Sequence, residues 1–419
     1  MHQIARVFAM VVILAGTSVA WLVLAGIMDH RSSDQEQTLS GAVAELWGAP
    51  MVQRAPAVLF EHPVTLRERV DIGTTSERWV ETTQLGQDPV PLGSTDATVD
   101  LRLDQRRKGL IWFSLYDVTF DGAYTYTHEG APGTLVVRFE FPQADGFYDD
   151  FHLVIDGVER WDVAPVGGTV EGRVPVQPGQ TVAFSIGYRS RGRDSFVYRP
   201  VPDWSVGQVR DLHLAMTTDF ATIDFPPQTM SPSEKADAGQ GKALTWSFDR
   251  LITGQSIGMV MPQRIQAGPL AAAMSLSAPL SLALYMVWIY VLGLLKRIEI
   301  HPVNHLFLAA AFFTFHLLFG YTADHLPVEA AFALSAVVSL VLTTTYLRLV
   351  AGARFAVFEA GIAQLLYLVG FSLAQFFEGW TGLTVTVLGT ITLFLLMQLT
   401  GRIRWAEVFG GPKAVESYR

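Results

Sequence analysis

The 419-residue sequence contains no cysteine. This absence excludes disulfides, thiolate catalysis and the zinc or iron–sulfur sites that depend on cysteine ligands. Charged residues are also few, at 16% of the chain, whereas hydrophobic residues make up 50%. One large soluble protein does not fit this balance, and the composition therefore predicts a membrane protein.

The charged residues are unevenly distributed along the chain. Residues 29–268 carry 21 Lys and Arg against 32 Asp and Glu, a net charge of −11, while the rest of the chain has nine basic and seven acidic residues. An acidic region of this kind offers no basic surface for nucleic acid, so nucleic acid is not expected as a partner. The same contrast predicts one aqueous part and one part embedded in the lipid bilayer.

A first membrane span is predicted at residues 7–28, an uncharged run of 22 residues. A helix of that length crosses a hydrocarbon core of about 30 Å. A cleaved signal peptide is the alternative, because Ser18, Val19 and Ala20 resemble a small-residue cleavage site. The apolar run continues beyond these residues, which favours an uncleaved anchor. Both interpretations export residues 29–268.

Further apolar runs follow the acidic region and predict a multi-pass α-helical protein with six spans. These runs lie at residues 269–295, 303–322, 328–347, 355–376 and 382–401. The predicted organisation is an anchor at residues 1–28, a β-rich domain at 29–268, a five-helix membrane region at 269–401 and a cytoplasmic tail at 402–419.

The basic residues outside the acidic region all fall on one side of this six-span path. Short cytoplasmic loops carry the excess of Lys and Arg in membrane proteins. Both termini are therefore expected in the cytoplasm, and the large domain on the other side of the membrane. The residues are Arg6, Lys296, Arg297, Arg348, Arg354, Arg402, Arg404, Lys413 and Arg419.

The large domain alternates apolar and polar residues at period two, which is typical of strands with one buried face. Leu135, Val137 and Phe139 share one face of such a strand, and Arg138 and Glu140 share the other. With Gly, Pro and Asp between the strands, the pattern predicts a β-sandwich-like domain inserted between spans one and two. We also expect a short helix at residues 38–47 and a loop at residues 230–241.

Several segments resemble the CreD family of inner-membrane proteins, which are described as cell-envelope integrity proteins. Segment 299–305, Glu-Ile-His-Pro-Val-Asn-His, is similar to the family's His-Pro-Val loop after the second span, and segment 400–405, Thr-Gly-Arg-Ile-Arg-Trp, resembles its Arg-rich, Trp-ended terminus. Segments 45–48 and 106–111 resemble a Trp-Gly pair and a basic segment of the family. The motif residues are His301, Pro302, Val303, Arg402 and Trp405.

The resemblance covers nearly the whole chain, but Gly401 and Arg404 stand where the family pattern has Arg and Asp. It implies an inner-membrane protein with a periplasmic domain and a role in envelope integrity or in the response to envelope stress and β-lactams. It implies no catalytic residue and no cofactor. An envelope component or another membrane protein is the expected partner.

The fifth span carries polar residues at spacings of three and four, including Gln364, Gln375 and Glu378, which places them on one helix face. Polar groups inside a membrane helix normally face the bundle. They could form a groove for a headgroup, a saccharide or a proton, closed by Glu378 and Asp324. They could instead form interhelical hydrogen bonds, which is the more common role.

Histidines provide further candidates. His316 lies in mid-span and could relay protons or bind a metal, although a hydrogen bond to a neighbouring helix is the commoner role. His325 lies beside Asp324 and could respond to pH. No metal site is expected, because His301 and His305 lack the glutamate of a zinc-protease motif.

In the large domain, Arg189, Arg191 and Arg193 alternate at a predicted strand end and could contact an anion or form a solvated edge that resists aggregation.

No nucleophile triad, phosphate loop or paired-carboxylate signature is recognisable, so an enzyme is not expected. The sequence favours a protein that senses, binds or scaffolds an envelope component. The alternative is a small transporter or lipid-handling protein that uses the polar residues of the fifth span.

Overall fold

Six long, apolar helices form the membrane part of the computed structural model. The structure describes residues 2–70, 78–160, 164–202, 206–377, 379–401 and 403. A β-sheet domain lies in the sequence between the first helix and the other five, which confirms the predicted fold class. The helices are α1 (His2–Trp47), α2 (Ala267–Lys296), α3 (Pro302–Thr322), α4 (Val328–Ala351), α5 (Phe355–Phe376) and α6 (Thr381–Thr400).

The chain divides into two units, which we call the helical unit and the sheet unit. The helical unit comprises the described parts of residues 1–38, 109–111 and 265–419, and the sheet unit those of residues 39–108 and 112–264. Buried apolar side chains from α1 to α5, including Leu282, Phe312 and Phe315, form the core of the helical unit. Apolar side chains also cover the outside of these helices, as expected for surfaces that contact lipid.

Helix α1 is longer than the predicted span at residues 7–28. It continues without interruption to Trp47, and Gly48 follows at a φ of +78°. Residues 38–47 are helical, as predicted, but they continue α1 and do not form a short helix of their own. The polar stretch 29–38 contains neither proline nor glycine, so no helix-breaking residue separates the apolar and polar parts of α1.

Helix α5 departs from α-helical geometry over most of its length. Residues Phe355–Gly361 and Leu365–Gly370 are π-helical, and Ala374–Phe376 form a 3₁₀ turn. Long π-helical segments are rare, and π-helical turns are frequent at functional sites. The hydrophobic pattern of so short a segment does not distinguish a π-helix from an α-helix, so the sequence predicts only that the segment is helical.

Strands make up most of the sheet unit, as the period-two alternation predicts. Leu135, Val137 and Phe139 are buried in its core, whereas Arg138 is half-buried and Glu140 is exposed. The described strands are β1 (Met51–Arg54), β2 (Ala57–Val70), β3 (Arg78–Val90), β4 (Ser94–Lys108), β5 (Ile111–Thr127), β6 (Gly133–Glu140), β7 (Asp149–Ile155), β8 (Val158–Glu159), β9 (Thr169–Val176), β10 (Thr181–Arg193), β11 (Ser195–Arg199), β12 (Gly207–Thr218), β13 (Glu234–Ala238), β14 (Gly241–Thr253) and β15 (Ile257–Val260).

Three sheets share one hydrophobic core and give the sheet unit a β-sandwich-like architecture. The strand orders are β13-β14-β12-β4-β5-β10-β7-β8, β3-β2-β6-β9 and β1-β11-β15. β1 pairs with β11 in parallel, and β4 pairs with β12 in parallel. Parallel pairs need long connections, so these pairings place residues side by side that are more than a hundred positions apart in the sequence.

Residues 230–241 do not form the predicted loop. β13 lies within them and pairs with β14, from Glu234 opposite Thr245 to Ala238 opposite Gly241. All five residues of β13 are exposed at the edge of the eight-stranded sheet. A strand without a buried face shows no alternation of apolar and polar residues, which is why its sequence resembles a loop.

Candidate functional site

A cleft of about 360 Å³ opens in the sheet unit where parts of all three sheets meet. Most of its lining residues are apolar, but polar atoms make up about half of the lining surface. A volume of a few hundred Å³ with an apolar lining and a few converging polar groups is typical of small-molecule sites. The polar lining residues are Arg54, Thr95, Arg138, Glu140, Gln208 and Arg210, and the lining prolines are Pro56, Pro89, Pro91, Pro200 and Pro202.

Ion pairs hold two of the arginines at this cleft. Arg54 Nη1 lies 2.6 Å from Glu140 Oε2, and Arg138 Nε lies 2.7 Å from Glu171 Oε1. Arg210 is exposed, and among the described residues no carboxylate lies within ion-pair distance of its guanidinium. The cleft therefore combines a mixed lining with a cationic side chain that has no ion-pair partner among the described residues.

The sequence did not predict these cleft residues. The polar lining residues come from β1, β4, β6 and β12 and have no common spacing or motif. The parallel pairing of β1 with β11 helps to bring these side chains together. The sequence near either strand does not reveal which distant strand it pairs with.

Of the three alternating arginines of β10, Arg189 has a paired strand on each side. β10 lies between β5 and β7 as far as Arg189, which pairs with Asp149, while Arg191 and Arg193 lie beyond the end of β7 and pair with β5. A carboxylate of the sheet unit pairs with each guanidinium, so the three side chains do not form an open anion site. The pairs are Arg189 with Asp150, Arg191 with Asp117 and Arg193 with Asp194.

Two of the family-like segments meet in the sheet unit. The guanidinium carbons of Arg106 and Arg191 lie 4.5 Å and 4.9 Å from the centre of the Trp47 ring. Cation–π contacts at exposed sites contribute about 0.5–1 kcal/mol each. Trp47 belongs to segment 45–48 and Arg106 to segment 106–111, so this contact gives both segments a structural role.

The polar residues of α5 face other helices of the helical unit. Gln364 is fully buried, and its Nε2 donates a hydrogen bond to Ser339 Oγ of α4 at 2.9 Å. Gln375 Nε2 donates to Ser277 Oγ of α2 at 3.3 Å. These are interhelical hydrogen bonds of the kind that hold membrane helices together. The third residue of this set, Glu378, lies outside the described residues.

Some polar atoms in the helical unit are buried without a hydrogen-bond partner among the described residues. They include Gln364 Oε1, Tyr285 Oη and Thr343 Oγ1. An unpaired polar group costs several kcal/mol when no water is present. Such atoms therefore mark places where a water molecule or a ligand would be stabilised.

His316 is buried in the middle of α3. Its Nδ1 lies 3.0 Å from the carbonyl oxygen of Phe312, so Nδ1 carries the hydrogen and donates it. Its Nε2 has no partner within the described part of the chain, and its ring packs edge-on against Trp21 with 5.6 Å between the ring centres. The described residues contain no group of three or more His, Asp or Glu side chains that could hold a metal ion.

Asp324 is buried near the end of α3 and is held by an arginine of α1. Arg31 Nη2 lies 2.6 Å from Asp324 Oδ2. His325, the next residue, is exposed. Asp324 therefore has a structural partner in the helical unit, while the His325 side chain is accessible.

The His-Pro-Val segment forms the start of α3. The Val303 N–H donates to His301 Nδ1 at 3.3 Å, and Pro302 occupies the first helical position, where proline's fixed φ is favourable. Tyr346 Oη of α4 donates to Asn304 Oδ1 at 2.8 Å. The segment thus caps α3 and joins it to α4. Arg402 and Trp405, the other motif residues, lie outside the described residues.

Comparisons with known proteins bear on the membrane region. A comparison with curated proteins gives no match. Among solved structures, the chain is similar to a putative nutrient binding protein from Legionella pneumophila subsp. pneumophila str. Philadelphia 1, with 12% identity, a TM-score of 0.29, and coverage of 47% of this chain and 73% of that one. A likeness this low carries no inference about fold or ligand. Residues 277–406 match the family model described as Inner membrane protein CreD, so the membrane region of this chain is similar to that family.

Proposed function

We propose that this CreD-like protein contributes to cell-envelope integrity, or to the response to envelope stress and β-lactams, by binding an envelope component in the cleft of its sheet unit. The helical unit anchors the protein in the inner membrane. The sheet unit lies in the periplasm, where envelope components are accessible.

The observation that carries this proposal is the cleft of about 360 Å³ with its mixed lining. Its prolines restrict the backbone, and its charged side chains are partly fixed by the pairs Arg54–Glu140 and Arg138–Glu171. A lining held in this way loses little conformational entropy when a ligand binds. The cleft therefore suits the binding of a small molecule.

The distribution of basic residues supports the proposed orientation. Lys296, Arg297, Arg348 and Arg354 all flank ends of membrane helices on the same side of a six-span path, as does Arg6. Lys and Arg concentrate in short cytoplasmic loops. The ends of α1 and α2 nearest the sheet unit in sequence then lie on the periplasmic side.

A deletion strain challenged with β-lactams, detergents and outer-membrane stress tests the proposal. We expect complementation by the full-length protein and not by a version that lacks residues 50–260. Both versions must be present in the membrane in equal amounts, measured by immunoblot. Equal complementation by the shortened version would place the function in the helical unit and contradict the proposal.

The second candidate is a small transporter or lipid-handling protein. The unpaired Gln364 Oε1, Tyr285 Oη and His316 Nε2 favour it, since buried polar atoms without partners in a bundle suit a path for water or protons. Gln364→Leu and His316→Phe would then abolish function at an unchanged level of folded protein. Loss of stability without loss of function would assign these side chains to packing alone.

A further inference from the structure

A small cavity of about 30 Å³ lies in the helical unit, between the beginning of α1, the end of α2 and the beginning of α3. A cavity needs roughly 10–15 Å³ to hold a water molecule, so there is room for one here. Part of its wall is the segment 299–305, which contributes Ile300, Pro302 and His305. The cavity therefore lies against a segment whose second histidine has no role in the capping of α3.

His305 brings an unused hydrogen-bond acceptor to this cavity. The residue is 3% exposed. Its Nδ1 lies 3.3 Å from the carbonyl oxygen of His301, so Nδ1 carries the hydrogen and donates it to the backbone. In the neutral imidazole the other nitrogen, Nε2, is then an acceptor. Nε2 is buried and has no hydrogen-bond partner among the described residues.

Tyr290 of α2 brings a hydroxyl group to the same cavity. Its Oη is also buried, and the described part of the chain supplies no hydrogen-bond partner for it. A phenol donates one hydrogen bond, and the imidazole Nε2 accepts one. A molecule that accepts from Tyr290 and donates to His305 satisfies both atoms at once, and in a membrane helix an unpaired polar group is costly.

The rest of the lining indicates a neutral ligand. Arg6 is the charged residue among the other lining residues, and its Nη2 lies 3.3 Å from Glu299 Oε2, so its charge already has a partner. The remaining lining residues carry no polar side chain. They are Met10, Ile289, Gly293, Leu294, Ile298, Ile300 and Pro302. An ion is therefore not the ligand that this lining favours.

The turn that follows α2 fixes one wall of the cavity. Arg297 adopts a left-handed conformation with a φ of +57°, and the Ile298 N–H donates to the Gly293 carbonyl oxygen at 2.9 Å. The Ile298 carbonyl oxygen lies so close to Gly293 that a Cβ there would be only 3.2 Å from it. Pro302, with its fixed φ, then begins α3. A wall held in this way needs little rearrangement to bind a ligand.

We propose that this cavity binds a water molecule that accepts a hydrogen bond from Tyr290 Oη and donates one to His305 Nε2. The bound water joins α2 to α3 beside the beginning of α1. Buried waters characteristically bond to polar groups that are otherwise unsatisfied, as these two are. The site lies in the helical unit, so it goes beyond the function proposed for the sheet unit, and it gives His305 a role distinct from that of His301.

A cryo-electron-microscopy map of the full-length protein that shows ordered water elsewhere tests the proposal directly. We expect an isolated density peak within about 2.5–3.2 Å of both Tyr290 Oη and His305 Nε2. An empty cavity would overturn the proposal, as would a direct hydrogen bond between the two side chains. Density continuous with a lipid or detergent molecule, or with another part of the chain, would overturn it as well.

The stability of Tyr290→Phe gives a second test, because its sign depends on the water. Removing a buried hydroxyl that has no partner stabilises a protein, whereas removing one that is hydrogen-bonded destabilises it. We expect Tyr290→Phe to lower the equilibrium constant for folding about five-fold, measured by unfolding with dodecyl sulfate in mixed micelles. An unchanged or higher constant would overturn the proposal.

A double-mutant cycle tests whether Tyr290 and His305 act through one molecule. Once either partner is lost the water is held weakly, so Tyr290→Phe should change stability much less in a His305→Leu protein than in the wild type. The matched control combines Tyr290→Phe with Tyr346→Phe, since Tyr346 donates directly to Asn304 and does not line the cavity. The two effects should multiply in the control. Multiplying effects of Tyr290→Phe and His305→Leu would overturn the proposal.

Discussion

Arg31 of α1 forms an ion pair with Asp324 at the end of α3, with 2.6 Å between Nη2 and Oδ2. The Asp324 side chain is 9% exposed and that of Arg31 is 29% exposed, so the pair is largely removed from water. The Arg31 guanidinium also lies 5.4 Å from the centre of the Tyr321 ring. This pair fixes the position of α1 against α3 within the helical unit.

Removing either partner of this pair should destabilise the helical unit. In a double-mutant cycle of Arg31→Ala and Asp324→Ala, we expect a coupling energy of about 1–3 kcal/mol, because the two charges form a short, charge-assisted hydrogen bond that is largely removed from water. Unfolding in mixed micelles by increasing dodecyl sulfate measures it. The control is the Arg67–Glu81 pair, whose side chains are 72% and 55% exposed, and which should couple by less than about 1 kcal/mol. Equal coupling in the two cycles would contradict the assigned role of Arg31.

The hydrogen bond between Gln364 and Ser339 predicts an asymmetry between two variants. Ser339→Ala leaves Gln364 Nε2 without its acceptor and should cost about 1–2 kcal/mol. Gln364→Leu removes the donor together with the unpaired Oε1, and should cost less. The same unfolding measurement compares them. A larger cost for Gln364→Leu would show that Gln364 Oε1 has a favourable partner, such as a water molecule.

The membrane part was largely predictable from the sequence, because a helix that crosses lipid must be a long apolar run. Six such runs predict the six helices, and the family match confirms the resemblance carried by His301, Pro302 and Val303. The continuation of α1 to Trp47 was missed, since its polar half follows no membrane pattern. The hydrogen-bond partners of Gln364 and Asp324 depend on how the helices pack, which no spacing within one helix reveals.

Buried tyrosines should make the sheet unit unstable at high pH. Burial raises the pKa of Tyr148 to about 12 and raises those of Tyr116 and Tyr188 well above the ordinary value. A raised pKa in the folded state stabilises the fold below about pH 10, the pKa of an unfolded tyrosine, and this stability is lost as the pH rises toward the folded value. We expect tyrosinate absorbance to rise together with the loss of strand circular dichroism. Ionisation of all tyrosines while the strands remain intact would contradict this.

The side chain of His301 should matter as a helix cap. His301→Ala removes the acceptor for the Val303 N–H and should lower stability by about 1 kcal/mol. His301→Asn is the matched variant, because asparagine caps helices well and should retain most of the stability. Thermal unfolding in micelles compares them. Equal losses would mean that His301 contributes something other than the cap.

The proposed orientation is testable with single cysteines, since the chain has none of its own. Ala236 of β13 and Ala353, between α4 and α5, are both exposed. An impermeant maleimide should label Ala236→Cys in cells with a permeabilised outer membrane and Ala353→Cys only after lysis. The reverse pattern would place the sheet unit in the cytoplasm and contradict the charge rule for this chain.

The sequence predicts that the sheet unit is built of strands, but it does not predict which residues line the cleft. Alternation at Leu135, Val137 and Phe139 predicts strands, because each strand has one buried face. The edge strand β13 lacks such a face and was missed. The cleft joins Arg54 and Arg210, 156 positions apart, through pairings across three sheets, and alternation within a strand contains no information about its partners.

The central claim is that the protein acts in envelope integrity or stress response by binding an envelope component in the cleft of the sheet unit. Filling it by Ala57→Trp tests this most directly, because Ala57 lines the cleft and a tryptophan ring occupies much of its volume. Ala236→Trp is the control, at an exposed strand position outside the cleft. In a deletion strain under envelope stress, we expect the control to complement and Ala57→Trp to fail while both proteins reach the membrane in equal, folded amounts. Full complementation by Ala57→Trp would contradict the account.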